Sequence, residues 1–222
     1  MLLAVDTSTQ MMGLALYNGD KVIGEMVWET KNRHTVTLAP AIDDLMQRSK
    51  FDPQQISCVG VAIGPGSFTS LRIGLALVKA IALSLKVPVI GVPTLDILAY
   101  AQPPQDIPMA ALLKAGRGRF ALSWYKTQES IWVSDGEVSV ITLEELIASI
   151  EDPTYVCGEV YGEERQALLR KKKLIKLASP VESVRRPSYL AEIAWSRYLE
   201  KKFDDVDSLA PIYLRVAGNL PS

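Results

Sequence analysis

Residues 56–85 read ISCVGVAIGPGSFTSLRIGLALVKAIALSL and contain the three elements from which we infer the fold. The β-branched run Ile56–Ile63 is typical of a strand that is covered on both faces. The segment Gly64-Pro65-Gly66 breaks that strand, and Ser70–Leu85 continues as an apolar helix. A buried strand that a glycine-rich turn joins to a long helix indicates an α/β fold.

The rest of the chain predicts two successive units with the same order of elements. The first unit has strands at 2–5, 12–17, 21–28, 56–63 and 89–92 and helices at 34–50, 70–85 and 94–101. The second has strands at 109–113, 120–125, 130–133 and 154–157 and helices at 143–149 and 161–170. Each unit begins with three strands, a helix, a strand and a helix, which predicts an architectural duplication.

Pro103-Pro104-Gln105-Asp106 is the predicted boundary between two domains, because two prolines among polar residues continue neither a helix nor a central strand. The prediction is an N-terminal domain over 1–102 and a smaller C-terminal domain over 103–222. We assign a last helix at 188–202 and an extended tail to the second domain.

Composition limits the classes of partner. The 222 residues are 48% apolar, and 24 basic residues nearly balance 25 acidic ones, so no strong overall field attracts nucleic acid or an anionic membrane. Cys58 and Cys157 lie in apolar runs without metal-ligand spacing and are expected as reduced core thiols. No uninterrupted apolar run approaches the roughly 20 residues that span a bilayer. We expect a soluble, cytoplasmic protein without a membrane role.

The glycine-rich turn is a candidate anion site. Backbone N–H groups of Ser67, Phe68 and Thr69 at a helix start would point at a phosphate or carboxylate. The turn matches neither a dinucleotide-binding fingerprint nor a P-loop, and the alternative is a tight turn in which Ser67 or Thr69 caps the helix. Asp6, at the end of the first strand, either contacts a metal-bound phosphate or bonds nearby backbone amides.

Catalytic groups are scarce. His34 is the only histidine, so neither a zinc site nor a Ser-His-Asp triad is expected, and we assign no catalytic and no metal-binding residue. The run Arg170-Lys171-Lys172-Lys173, with Arg185 and Arg186, either contacts RNA phosphates or forms solvated surface.

The helix at 70–85 is apolar in nearly all directions and must be covered on more than the side that packs on its sheet. The helix at 34–50 carries a second apolar group, Val36, Ala39 and Pro40, beside its main stripe. The two helices either form a joint docking face for another protein or bury each other and the second domain.

Four motifs together resemble the bacterial TsaB (YeaZ) family: Asp6-Thr7-Ser8, Arg33-His34-Thr35, the segment from Gly64 to Gly74, and Pro211-Ile212-Tyr213-Leu214-Arg215. The resemblance is close over about residues 1–100. It implies a duplicated actin-like, sugar-kinase and Hsp70 fold. It also implies a non-catalytic subunit that pairs with a TsaD-like paralogue, and with a TsaE-like ATPase, to place a threonylcarbamoyl group on the adenosine beside the anticodon of tRNA.

By this resemblance the first two helices of the N-terminal domain bind the TsaD-like partner. The predicted contact residues are His34, Leu38, Ile42, Leu45, Leu71, Leu75 and Val78, and replacing Leu75 or Ile42 by Arg should abolish pairing and preserve the fold. The chain alone is expected to bind no cofactor, with ATP or ADP only in complex with partners, to contact tRNA indirectly, and to form a homodimer when isolated. No peptidase activity is expected.

One departure from the family pattern is the sequence Lys114-Ala115-Gly116-Arg117, where relatives commonly have Asp-Ala-Arg. Two alternative functions remain: a phosphotransferase or ATPase that binds nucleotide through Asp6 and the glycine-rich turn, and an RNA-binding module.

Overall fold

The computed structural model describes residues 1–31 and 33–214, which divide into two units. Unit 1 comprises Met1–Ala101 and Arg185–Ile212, and unit 2 comprises Gln102–Val184 and the segment that begins at Tyr213. The strands are β1 Leu2–Asp6, β2 Met11–Tyr17, β3 Val22–Glu29, β4 Cys58–Gly64, β5 Val89–Pro93, β6 Met109–Gly116, β7 Arg119–Gln128, β8 Ile131–Ser134, β9 Ser139–Thr142, β10 Thr154–Gly158 and β11 Ile175–Leu177. The helices are α1 His34–Ser49, α2 Phe68–Leu85, α3 Thr94–Tyr100, α4 Leu143–Ser149, α5 Gly162–Leu169 and α6 Pro187–Leu199.

The sheet of unit 1 has the order β3-β2-β1-β4-β5. β1 is antiparallel to β2 and parallel to β4, and β4 is parallel to β5. Alternate residues of β1 point to opposite faces: Leu3 and Val5 face the core that α1 and α2 cover, and Leu2 and Ala4 face the core that α6 covers. Burial on both faces explains the uninterrupted apolar runs of these strands.

The last helix, α6, belongs to unit 1, so its assignment to the C-terminal domain is wrong. Leu190, Ala191 and Ala194 of α6 are fully buried against β1, β2, β4 and β5. The approach is close at Gly60, where an added Cβ would lie 2.8 Å from the Ala194 Cβ. The seven-residue α3 is too short to cover this face, and the sequence does not show that a distant helix returns to it.

The sheet of unit 2 has the order β11-β10-β6-β7-β8, and β9 pairs with β7. β6 is antiparallel to β7 and parallel to β10, as β1 is to β2 and β4. Its core holds Leu112, Phe120, Leu146, Val156 and Leu168. The predicted duplication is therefore confirmed at the level of topology, and the sequence missed β9, β11 and a short 3-10 helix at Pro53–Gln55.

One described helix, α2, is long and apolar enough to cross a membrane by length and composition. Arg72 and Lys79 interrupt its apolar run. In the structure Leu71, Leu75 and Val78 are buried, and Leu75 and Val78 join the core under the sheet. Much of the apolarity of α2 therefore serves packing within unit 1.

Candidate interaction site

The residues predicted to bind a partner lie mostly inside unit 1. Six of the seven are buried: His34, Leu38, Leu45, Leu71, Leu75 and Val78. Ile42 is partly buried and packs against the same core. Both helices turn their main apolar stripe toward the sheet, so the six buried side chains are not presented on the surface of unit 1, and Ile42 stays a predicted contact residue.

A different set of α1 and α2 residues faces solvent. We define the α1–α2 surface as the exposed residues Val36, Ala39, Pro40, Phe68, Arg72, Ala76, Ala80 and Leu83. The side chains of Val36, Leu83 and Phe68 are 67%, 60% and 54% exposed. The sequence identified the α1 residues of this surface as a second apolar group. It did not identify the α2 residues, because α2 is apolar in nearly all directions.

The two halves of the α1–α2 surface lie on one side of the sheet, because α1 and α2 pack into the same core and contact each other. Arg72 is the charged member of this set, and its guanidinium carbon lies 5.1 Å from the centre of the Phe68 ring. The exposed Asp43, Gln47 and Arg48 continue the solvent side of α1 toward its C-terminus. An exposed two-helix surface of small and apolar side chains is suited to pack against helices of another protein.

Asp6 is buried and ion-paired rather than open to a ligand. Its Oδ2 accepts a hydrogen bond from Arg185 Nε at 3.0 Å, and its Oδ1 accepts one from the Ser8 backbone N–H at 2.8 Å. Arg185 Nη2 also donates to Thr9 Oγ1 at 2.8 Å. The expected contact of Asp6 with a bound anion or nucleotide is therefore not formed by this geometry, because both carboxylate oxygens bond within unit 1.

The glycine-rich turn is tied to the segment that follows β1. The Ser67 backbone N–H donates to the Ser8 carbonyl oxygen at 2.7 Å, so this amide is not open to an anion. The Ser67 side chain caps α2 and accepts from the Ser70 N–H at 3.5 Å. Phe68 and Thr69 are exposed at the first turn of α2. The helix-cap alternative thus describes Ser67 correctly.

His34 is a buried linking residue. Its Nε2 donates to the Thr9 carbonyl oxygen at 2.9 Å, because a carbonyl oxygen can only accept. Its Nδ1 lies 3.3 Å from the Ser70 hydroxyl, and the Thr30 hydroxyl lies 3.3 Å from both ring nitrogens. His34 therefore joins the starts of α1 and α2 to the segment between β1 and β2 and to the end of β3, and it is buried.

The described residues contain no cluster of three or more His, Cys, Asp or Glu that could hold a metal ion. Cys58 and Cys157 are free and buried, as predicted. Burial raises the pKa of the Cys58 thiol to about 12 and also raises that of Cys157. Neither thiol is suited to act as a nucleophile near neutral pH.

In unit 2, the residue that departs from the family pattern, Lys114, forms an ion pair with Glu164, and its backbone N–H donates to Glu159 Oε2 at 3.2 Å. The basic cluster is divided by the fold. Arg185 is buried against Asp6, and Arg186 pairs with Glu25, so neither supplements the run at 170–173. Of the late motif, Pro211–Leu214 is described and Arg215 lies outside the described residues.

Similarity to known proteins is consistent along nearly the whole chain. The TsaB protein of Bacillus subtilis strain 168, a tRNA threonylcarbamoyladenosine biosynthesis protein, is 32% identical over 97% of this chain and 94% of its own length. This chain belongs to the TsaB family. The Escherichia coli K12 protein of the same name is 26% identical over 96% of this chain and 94% of its length.

Two further comparisons place the TsaB-family chain in its fold group. The sequence model of the TsaD family, tRNA N6-adenosine threonylcarbamoyltransferase, matches residues 21–153. The solved structure of YeaZ from Pseudomonas aeruginosa is similar with a TM-score of 0.76 and 21% identity, over 96% of this chain and 99% of that one. The fold is therefore the duplicated actin-like α/β fold that the sequence predicted.

Arg185 was missed as a partner of Asp6. The sequence offered one signal: Asp6 is a charged residue at the end of an apolar strand, and a buried carboxylate requires a cation. Nothing local identified which of the 24 basic residues supplies it.

Proposed function

We propose that this TsaB-family protein acts in tRNA threonylcarbamoyladenosine biosynthesis as a non-catalytic subunit that pairs with a TsaD-like protein. The observation that carries the proposal is the α1–α2 surface. It exposes apolar side chains from two adjacent helices of unit 1, among them Val36 and Leu83. The names of the relatives from B. subtilis and E. coli supply the pathway.

The non-catalytic role is supported by how the polar groups at the strand ends are used. Asp6 bonds to Arg185, Ser67 bonds to Ser8, and His34 bonds to Thr9. A catalytic carboxylate or imidazole must instead reach a substrate atom. We therefore propose that the TsaD-like partner, with a TsaE-like ATPase, supplies the nucleotide site and the chemistry in the cytoplasm.

The similarity to the TsaD family supports the choice of partner. Residues 21–153, which match that family, include both helices of the α1–α2 surface. Related chains that keep a common fold can pack like helices against like helices. The same surface would allow two copies of this chain to associate when the partner is absent.

The test is co-expression of the chain with the TsaD-like protein of the same source, followed by light scattering on the purified material. We expect a complex with the wild-type chain and its loss in Val36→Arg and Ala80→Arg, because each would place an unpaired charge in an apolar interface. Ser196→Arg is the matched control, since Ser196 is an exposed residue of α6.

Pairing by Ser196→Arg and by both α1–α2 variants would contradict the surface assignment. Absence of pairing with the wild-type chain would contradict the proposed function. Calorimetry with ATP and magnesium on the isolated chain distinguishes the proposed function from the alternative, because a phosphotransferase or ATPase acting alone would bind the nucleotide.

A further inference from the structure

The turn between α5 and β11 carries four consecutive basic residues, Arg170, Lys171, Lys172 and Lys173. All four are exposed. Lys176 on β11 adds a fifth exposed cation three residues later, and its ammonium group lies 2.8 Å from Gln105 Oε1. We call Arg170–Lys173 the basic turn.

Three other basic side chains of unit 2 have partners. Lys114 pairs with Glu164, Lys126 pairs with Asp135 at 2.8 Å, and Arg165 donates to the Ala178 carbonyl oxygen at 2.9 Å. Within the described ranges 1–31 and 33–214, no ion pair joins a residue of the basic turn to an acidic side chain. The four charges are therefore available to an external anion.

The backbone of the basic turn is ordered by its own hydrogen bonds. The Lys171 N–H donates to the Leu168 carbonyl at 3.0 Å, and the Lys171 carbonyl accepts from the N–H groups of Leu174 and Ile175 at 2.9 Å. The Thr154 N–H of β10 donates to the Leu174 carbonyl at 2.8 Å. Leu168 and Ile175 are core residues of unit 2. The four side chains thus project from a fixed backbone, which lowers the entropy lost on binding.

The charge of the basic turn is a local feature. The whole chain has a formal net charge of −1, so the positive field does not come from general basicity. Glu151 and Asp152 precede β10, which runs parallel to β11, and they lie toward the same end of the sheet. Asp106 precedes β6, which is also parallel to β10, and lies toward this end as well, so the positive charge is concentrated in the basic turn itself.

We propose that the basic turn contacts the phosphodiester backbone of tRNA, and this inference rests on the function proposed above. Closely spaced Lys and Arg side chains neutralise successive phosphates and release counterions without reading sequence. The pathway of the relatives has tRNA as the nucleic acid to be modified. The turn positions the tRNA body, and the base that reacts is left to the partner.

The test compares the triple variant Lys171→Gln, Lys172→Gln, Lys173→Gln with the control Lys21→Gln, Lys201→Gln, Lys202→Gln, which removes the same charge from exposed lysines of unit 1. Fluorescence anisotropy measures the Kd for unmodified tRNA over a salt series, for the isolated chain and for the complex with the TsaD-like protein. Light scattering on the same samples reports pairing.

We expect the triple variant to pair normally and to bind tRNA about tenfold more weakly, with the slope of log K against log salt reduced by about 2 to 3. The control should change the Kd by less than about twofold. An unchanged Kd and slope in a triple variant that still pairs would overturn the inference and leave the proposed function standing.

Failure of the wild-type chain to pair would contradict the proposed function, and the titrations of the isolated chain then decide the inference. Absence of tRNA binding by both wild-type samples overturns it. A parallel titration with vesicles containing phosphatidylglycerol tests whether the basic turn binds an anionic lipid surface instead of tRNA. Tight vesicle binding lost in the triple variant, with tRNA binding unchanged, would assign the turn to lipid and overturn the RNA assignment.

Discussion

Arg185 and Asp6 are 179 positions apart in the sequence and form an ion pair in unit 1, with Nε and Oδ2 at 3.0 Å. Both side chains are only 2% exposed. The pair links Arg185, which lies just before α6, to Asp6 at the end of β1.

Removing one partner of this pair should be costly. We predict that Arg185→Met lowers the free energy of unfolding by about 3 to 5 kcal/mol, because Asp6 stays buried without its cation. The double variant Asp6→Asn with Arg185→Met should recover part of this loss, since neither buried charge remains. Urea denaturation measures all three proteins. If Arg185→Met were as stable as the wild type, Asp6 and Arg185 would not form a buried ion pair.

Arg186→Met is the matched control for that measurement. Its side chain is 58% exposed and pairs with Glu25, whose side chain is 12% exposed. An exposed ion pair contributes less than about 1 kcal/mol. The two neighbouring arginines should therefore differ severalfold in their effect.

Leu75 and Ala76 are adjacent on α2, but Leu75 is buried and Ala76 is exposed. Leu75→Arg should lower the free energy of unfolding by more than about 3 kcal/mol, because it buries an unpaired guanidinium in the core. Ala76→Arg, on the α1–α2 surface, should change it by less than about 0.5 kcal/mol. Thermal melting followed by circular dichroism checks the contrast. A stable Leu75→Arg protein would restore the original contact prediction.

Gly66 allows the glycine-rich turn to approach the segment after β1. An added Cβ at Gly66 would lie 2.2 Å from the Ser8 carbonyl oxygen, which also accepts from the Ser67 N–H. We predict that Gly66→Ala lowers the free energy of unfolding by about 1 to 3 kcal/mol, because the turn must move and that hydrogen bond weakens. Thr69→Ala, an exposed change in the same segment, should have little effect in urea denaturation.

Glu25 should make stability depend on pH. Burial opposes its ionisation, but hydrogen bonds from Arg186 and Ser188 outweigh burial and hold the pKa of Glu25 below its ordinary value. Because the pKa of Glu25 is lower in the folded state, its ionised carboxylate stabilises the fold at pH values above the unfolded pKa of about 4.3. This stabilisation is lost as the pH falls through the pKa that Glu25 has in the folded state.

The wild type should therefore exceed Glu25→Gln in stability at neutral pH, by less than about 1 kcal/mol because Arg186 is largely exposed. The difference should shrink below about pH 4. Thermal melts of both proteins across pH 3 to 7 measure it. A difference that grows toward low pH would contradict the direction of the shift.

The amino-acid sequence was sufficient to predict the order of the longer strands and of the helices. Strands such as β1 and β4 and the helix α2 are predicted by local apolar periodicity and by the turn residues that end them. The duplication followed from that order alone. The short strands β9 and β11, of four and three residues, carry too little pattern to be found this way.

The α1–α2 surface was predicted only in part. Val36, Ala39 and Pro40 are identifiable on α1 because they lie off its main stripe. On α2 the apolar residues point in nearly all directions, so the sequence does not show which of Leu75 or Ala76 faces the sheet. The choice is made when the helix packs against β4 and α1.

The sequence by itself therefore determined the family, the α/β class and the repeated topology, because each depends on residues that are close in the chain. Tertiary structure alone decided that α6 covers the first sheet and that Arg185 neutralises Asp6. It also decided that, among the residues that the structure describes, the basic turn has no ion-pair partner. Burial and ion pairing depend on distances between residues far apart in sequence, and only the packed chain fixes those distances.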